Sequence, residues 1–160
     1  MTTLKEELKI TANFASLEQE AFLSVLVTSD RINRRNTEFM ARFGISPKQF
    51  NILRILRGAG KPGIPVMEIG RRMIEKSPDI SRIINRLIDV GLVCRRRQRS
   101  DRRVVKVSIS AKGLRLLEQM DQPVLSHVEE MLSGLTKDEL QSVVFLLDRV
   151  RESVYRQSPV

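Results

Sequence analysis

The sequence is poor in the side chains from which disulfides, metal sites and catalytic sites are built. Its 160 residues include one cysteine, Cys94, and one histidine, His127. A single thiol excludes an internal disulfide, and one thiol with one imidazole leaves a zinc site short of ligands. The eight glycines form neither a dinucleotide-binding nor a P-loop pattern. We therefore expect no metal, no cofactor and no enzymatic activity.

Long apolar runs are absent as well. The longest uncharged run covers residues 21–29, far short of the roughly 20 apolar residues that a membrane span needs. Residues 1–10 contain Glu6 and Glu7 and lack the apolar region of a secretory signal. We therefore expect a cytoplasmic protein with no membrane partner.

The chain does carry a local excess of positive charge. It has 28 Lys and Arg against 19 Asp and Glu, which gives a formal net charge of +9. Residues 71–112 hold 13 of the basic and 4 of the acidic residues, so the rest of the chain is balanced. A concentrated positive field on a neutral scaffold indicates a polyanionic partner, most often nucleic acid.

Apolar spacing and capping residues predict helices over much of the chain. One helix is predicted over 17–43, and Ser46, Pro47 and Gln49 predict the capped start of another. A short helix follows over 67–75. Ser77 as N-cap and Pro78 at the first helical position then predict a helix over 77–90 that ends at Gly91. Its apolar stripe is the clearest in the chain: Ile80, Ile83, Ile84, Leu87 and Ile88.

Alternating apolar and polar residues replace the helical pattern after Gly91. Residues 92–94 and 105–109 predict two strands, with the arginine-rich segment 95–103 as the arms and tip of their hairpin. Ser110 can cap a following helix, in which Pro123 predicts a kink or a break. Thr136 and Glu139 predict a capping box at the start of the last helix.

This order of elements is that of a helix-turn-helix followed by a wing. The outward face of helix 77–90 can reach base edges in duplex DNA, arginine reading guanine and asparagine reading adenine. The hairpin can enter the minor groove and neutralise phosphates. The candidate DNA-binding residues are Ser77, Pro78, Asp79, Ser81, Arg82, Asn85 and Arg86 on the helix, and Arg95, Arg97, Arg99, Asp101, Arg102 and Arg103 on the hairpin.

Several of these residues also allow an alternative interpretation. Arg82 and Arg86 can instead pair with Asp79 or Asp89 along the helix. Asp79 repels phosphate unless it accepts a hydrogen bond from a cytosine N4 amine. Cys94 reads as an ordinary strand residue, because the chain offers no partner thiol for a redox switch.

A different class of partner is the alternative to duplex DNA. An RNA-binding or protein-interaction winged-helix module could share this order of elements. Single-strand recognition usually relies on aromatic stacking, however, and residues 51–144 contain no Phe, Tyr or Trp. The composition therefore favours a duplex.

Three motifs resemble those of the MarR (multiple-antibiotic-resistance regulator) family of bacterial transcription regulators. The most specific is Asp101-Arg102-Arg103 followed by Val105-x-Val107-x-Ile109-Ser110-x-Lys112-Gly113. The others are Gly91-Leu92-Val93 before arginines, and Phe50-x-x-Leu53-x-x-Leu56 after Ser46-Pro47. The resemblance covers nearly the whole chain.

The resemblance implies a mainly α fold with a small β wing. It implies a single subunit over residues 1–160, with a winged helix-turn-helix lobe over 46–113 and a helical dimerisation region formed by 1–45 and 114–160. A homodimer would bind a pseudo-palindromic site on double-stranded DNA and regulate transcription, more often as a repressor. In this likeness Arg103 is the wing arginine, held by a salt bridge to Asp101. Many relatives release DNA on binding a small phenolic or lipophilic effector. The operator, the target genes and any effector stay open.

Overall fold

A computed structural model describes residues 3–97 and 105–156 of the chain, including the backbone but not the side chains of 96 and 97. The helices are α1 (Leu4–Leu8), α2 (Leu17–Ala41), α3 (Pro47–Ala59), α4 (Val66–Arg72), α5 (Ile80–Asp89), α6 (Ala111–Met131) and α7 (Lys137–Arg156). The strands are β1 (Ile64–Pro65), β2 (Val93–Arg97) and β3 (Val105–Ile109), which form one antiparallel sheet in the order β1-β3-β2. The prediction of a mainly helical fold with a small β wing is confirmed.

The chain divides into two compact units, Met1–Leu117 and Glu118–Val160. The core of the first unit lies between α3, α4, α5 and the sheet. Eight side chains of this unit are fully buried: Ile52, Leu53, Leu56, Ile69, Ile84, Leu87, Val107 and, from α6, Leu117. The predicted apolar stripe of α5 therefore packs inward through Ile84 and Leu87, and the helix keeps its polar face in solvent.

Two predicted capping boxes are confirmed. Ser46 Oγ accepts from the Gln49 amide at 3.3 Å, and Gln49 Oε1 accepts from the Ser46 amide at 2.8 Å. Thr136 and Glu139 bond each other in the same reciprocal way at the start of α7. Each pair satisfies amide groups that a helix start otherwise leaves without acceptors.

The predicted bounds of α4 and α5 are wrong. Helix α4 ends at Arg72, not at 75, because the backbone of Met73 is extended (φ −64°, ψ 139°) and its side chain is buried. Helix α5 begins at Ile80, so Ser77 is not its N-cap. The first helical hydrogen bond runs from the Ile83 amide to the Asp79 carbonyl, and Asp79, with ψ 19°, lies outside the helical range. Residues 73–79 thus form a seven-residue linker between the helices.

Two further differences concern α1 and α6. Helix α1 was not predicted, because its five residues are too few to show an apolar stripe. Its Thr3–Glu6 capping box is a local signal that could have indicated it. Helix α6 continues through Pro123, so of the predicted kink or break, the break is wrong. Proline removes one amide donor, but a 21-residue helix retains its hydrogen bonds on either side. None of the helices in the described residues is long and apolar enough to cross a membrane.

Candidate nucleic-acid interface

The outward face of α5 presents four of the predicted contact residues to solvent. Ser81, Arg82, Asn85 and Arg86 are all exposed, as are Pro78 and Asp79 in the linker, whereas Ser77 is half-buried. Because the opposite face of the helix is in the core, the direction in which these side chains project is fixed. The helix therefore offers hydrogen-bond donors and positive charge on one accessible surface.

Main-chain and side-chain bonds fix the C-terminal end of α5. Gly91 adopts φ +74°, and the amides of Gly91 and Leu92 bond the carbonyls of Ile88 and Leu87 at 2.8 and 2.9 Å. This pattern is a Schellman motif, in which glycine takes the left-handed position without strain. The predicted stop at Gly91 is thereby confirmed.

The next helix is joined directly to that end. Ser110 Oγ donates to the Gly91 carbonyl at 2.7 Å and accepts from the Gly113 amide at 3.0 Å. Lys112 Nζ donates to the Val90 carbonyl at 2.8 Å. We call these contacts of Ser110 and Lys112 the α5–α6 clamp. The predicted capping role of Ser110 is confirmed, but its second bond and the role of Lys112 were missed, since nothing local in the sequence shows which carbonyls lie nearby.

Side chains also hold the linker that leads into α5. Asn51 Oδ1, from α3, accepts from the Ile74 amide at 3.1 Å, and Lys48 pairs with Glu75 at 2.7 Å. Lys76 Nζ donates to the Arg71 carbonyl at 2.6 Å, at the end of α4. These contacts join α3, α4 and the start of α5, and none of them was expected from sequence spacing.

A direct bond connects the first wing strand to α5. Arg95 is paired with Val107 across the β2–β3 ladder, so the two side chains share a face of the sheet. Val107 is fully buried on that face, against the helices. Arg95 lies farther along it, and its Nη2 donates to Asn85 Oδ1 at 2.8 Å. The sequence placed both residues in the interface but did not indicate that they touch.

The competing ion pair of Arg82 is present but loose. Its Nη2 lies 3.7 Å from Asp79 Oδ1, and both side chains are more than half exposed. An exposed pair at this separation contributes little to stability and is readily exchanged for another anion. Arg82 therefore stays available for a base or a phosphate.

Other predicted residues lie outside the described part of the chain. These are Arg99, Asp101, Arg102 and Arg103, together with the side chain of Arg97. Cys94 is an exposed residue of β2, paired across the ladder with Ser108. Within residues 3–97 and 105–156, no three His, Cys, Asp or Glu side chains are grouped so as to hold a metal ion.

The chain is similar to known transcription regulators in both sequence and fold. A sequence model described as the MarR family matches residues 43–104. The crystal structure of a MarR transcription factor from Planctomyces limnophilus is 39% identical, with 85% of this chain and 98% of that chain covered and a TM-score of 0.66. The curated regulator MhqR of Bacillus subtilis is 28% identical over 119 residues, which are 74% of this chain and 81% of its own.

Two similar structures contain DNA. The MepR–DNA complex of S. aureus is 18% identical, with a TM-score of 0.72 and coverage of 83% of this chain and 96% of that chain. A mutant MarR of E. coli complexed with operator DNA is 23% identical, with a TM-score of 0.73 and coverage of 93% and 99%. At these identities the likeness concerns the fold alone. The 39% identity to the Planctomyces limnophilus protein, over nearly the whole of that protein, shows that the chain belongs to the MarR family of transcription regulators.

Proposed function

We propose that the protein is a sequence-specific, double-stranded DNA-binding transcription regulator, and a repressor, that acts without enzymatic activity. The observation that carries this proposal is the solvent-facing donor surface of α5, backed by the buried residues Ile84 and Leu87. A helix held rigidly with arginine and asparagine outward has the chemistry of major-groove readout. The complexes of MepR and of E. coli MarR with DNA support the same use of this fold.

The arginine-rich hairpin completes the proposed interface. Arg95 places its guanidinium next to α5. We assign Arg97, Arg99, Arg102 and Arg103 to phosphates and the minor groove, with Asp101 paired to Arg103. Narrow minor grooves have a strongly negative potential that favours inserted arginine. In this arrangement Asp79 would accept a hydrogen bond from a cytosine amine.

The proposal includes a homodimer that binds a pseudo-palindromic operator. Its support is the exposed apolar surface of the terminal helices. On α7, Val143, Val144, Leu147, Val150 and Val154 follow helical spacing and are each between 36% and 63% exposed. On α2, Phe22 is 63% and Leu26 is 49% exposed. Contiguous apolar surface of this kind marks an interaction site. In a dimer each α5 would read a half-site, with centres about 10 bp apart.

The proposal also includes release of DNA when a small phenolic or lipophilic effector binds. No residue is assigned to the binding of that effector.

Removal of single arginines from α5 tests the proposal. A duplex is first selected from genomic fragments with the full chain, and affinity is then measured for Arg82→Ala and Arg86→Ala. We expect each variant to lose about 1–3 kcal/mol of binding free energy on the selected duplex. Arg149→Ala, which removes an exposed charge from α7, is the matched control and should bind like the parent.

Salt dependence and competition distinguish duplex readout from other binding. If about six phosphates are neutralised, the logarithm of the affinity should fall with the logarithm of salt concentration at a slope near −5. Affinity for poly-U equal to that for the selected duplex would contradict the proposal and favour an RNA-binding module. Unchanged affinity in both α5 variants would remove α5 from the interface.

A further inference from the structure

The bond between Asn85 and Arg95 changes what Asn85 can offer to a base. A guanidinium has only N–H donors, so it is the side-chain oxygen of Asn85 that faces Arg95, at 2.8 Å. The amide nitrogen of Asn85, with its two donors, is left for another partner. The bond is charge-assisted, which makes it stronger than a neutral amide contact.

The usual readout of adenine by asparagine needs both ends of the amide. The oxygen accepts from adenine N6 while the nitrogen donates to adenine N7. An oxygen already accepting from a guanidinium is a poorer partner for N6. Guanine presents two neighbouring acceptors, N7 and O6, in the major groove. An asparagine that offers mainly its two N–H donors therefore fits guanine better than adenine, in which the N7 acceptor lies beside the N6 donor.

The two backbones hold this contact in place. Asn85 directly follows Ile84 and lies two residues before Leu87, both fully buried, while Arg95 is paired across the ladder with Val107, also fully buried. Neither backbone can shift without disturbing the core. Exclusion of water from a DNA interface would strengthen the bond further, since the local dielectric falls.

We propose that Arg95 is a positioning residue that sets the base preference of Asn85, turning it from adenine towards guanine. The inference rests on the proposed function, because it concerns the same interface on duplex DNA. It assigns to the first wing strand a part in specificity that is separate from phosphate neutralisation.

The test is a base-preference measurement with a matched charge control. The full chain and its variants are used to select sites from a randomised duplex library, and affinities are then measured on duplexes that differ at one base pair. Asn85→Ala identifies the base pair, which is the one whose preference disappears. Arg95→Met keeps an apolar stem but removes every donor. Lys106→Met removes one positive charge from β3 without touching the Asn85–Arg95 bond.

We expect the parent to prefer a G·C pair over an A·T pair at this position. In Arg95→Met the preference should shift towards adenine by about tenfold or more, the discrimination typical of a bidentate contact. Lys106→Met should bind all of the duplexes more weakly by the same factor. Thermal unfolding of both variants should match the parent, since Arg95 is exposed and Lys106 is only half-buried.

Two results would overturn the inference. One is a parent that already prefers adenine at this base pair. The other is an Arg95→Met variant that keeps the parent's preference, whether its affinity is unchanged or falls uniformly as in the Lys106→Met control. Failure of the parent to prefer any duplex over poly-U would instead contradict the proposed function, so the two failures are distinguishable.

Discussion

Lys76 and Lys112 both belong to the basic stretch of the chain, yet their ammonium groups bond main-chain carbonyl oxygens. Lys76 bonds the Arg71 carbonyl near the end of α4, and Lys112 bonds the Val90 carbonyl at the end of α5. The carbonyl end of a helix carries partial negative charge and favours a cation. Both ammonium groups are therefore already bonded within the fold. The net charge of +9 consequently overstates the number of phosphates that the candidate interface can neutralise.

Gly113 offers a test of how closely α6 packs against the strands. A Cβ added there would lie inside contact distance of the Leu92 carbonyl oxygen and 2.8 Å from Ile109 Cγ1. We expect Gly113→Ala to lower the free energy of unfolding by about 1–3 kcal/mol, because backbone or core atoms would have to move. Gly58→Ala is the control, since its Cβ meets nothing within 4 Å in helix α3, and it should stabilise the protein by about 0.5–1 kcal/mol. Urea unfolding measures both, and equal stabilities would contradict the packing seen at Gly113.

Among the elements, those with a long apolar stripe and a cap were predictable from sequence. The starts of α3 and α7 and the end of α5 follow from local hydrogen bonding by Ser46, Thr136 and Gly91. The linker 73–79 was not predictable, because its conformation depends on Asn51 and Lys48 of α3 and on burial of Met73. The Asn85–Arg95 bond was missed for a similar reason. Strand β2 reads Val-Cys-Arg-Arg-Arg, and only its register with β3 shows that Arg95 faces the helices.

The capping box of α7 predicts that the stability of the fold depends on pH. The backbone amide and the hydroxyl of Thr136 donate to the Glu139 carboxylate and hold the pKa of Glu139 below its ordinary value of 4.5. A carboxyl with a lowered folded-state pKa stabilises the fold above its ordinary pKa, and this contribution is lost as the pH falls through the lowered value. Glu139→Gln should therefore be less stable than the parent at neutral pH and should match it at acid pH.

Thermal unfolding across the acid range measures this difference. Glu129→Gln removes an exposed carboxylate from α6 and serves as the control. A gap between Glu139→Gln and the parent that stayed constant from neutral to acid pH would contradict a charged capping box.

Along the chain, the excess positive charge and the exposed apolar side chains fall in different helices. The basic stretch 71–112 contains α5 and the described strands of the wing, whereas the balanced remainder includes α2 and α7, with their exposed apolar side chains. A field concentrated on one part of a protein attracts a polyanion to that part, and an apolar helix face favours association with a second copy. The two surfaces thus support the two parts of the proposed function.

Dimerisation is tested by one acidic substitution on α7. Val150 is 47% exposed within the apolar stripe, and a carboxylate buried there in an interface would be desolvated without a partner. We expect Val150→Glu to shift the mass measured by light scattering from dimer towards monomer and to weaken operator binding. Gln141→Glu, at an exposed position off the stripe, should remain dimeric. A parent that is monomeric at micromolar concentration would refute the homodimer.

The α5–α6 clamp restricts how α5 can move relative to the start of α6. The Ser110 hydroxyl joins the residue that follows α5 to the start of α6, since it bonds both the Gly91 carbonyl and the Gly113 amide. Gly113 approaches the Leu92 carbonyl so closely that a Cβ in its place would lie inside contact distance of the carbonyl oxygen. Helix α5 and the first turn of α6 are consequently coupled through the same hydroxyl and through Lys112. Any reorientation of α5 that keeps these bonds must carry the start of α6 with it.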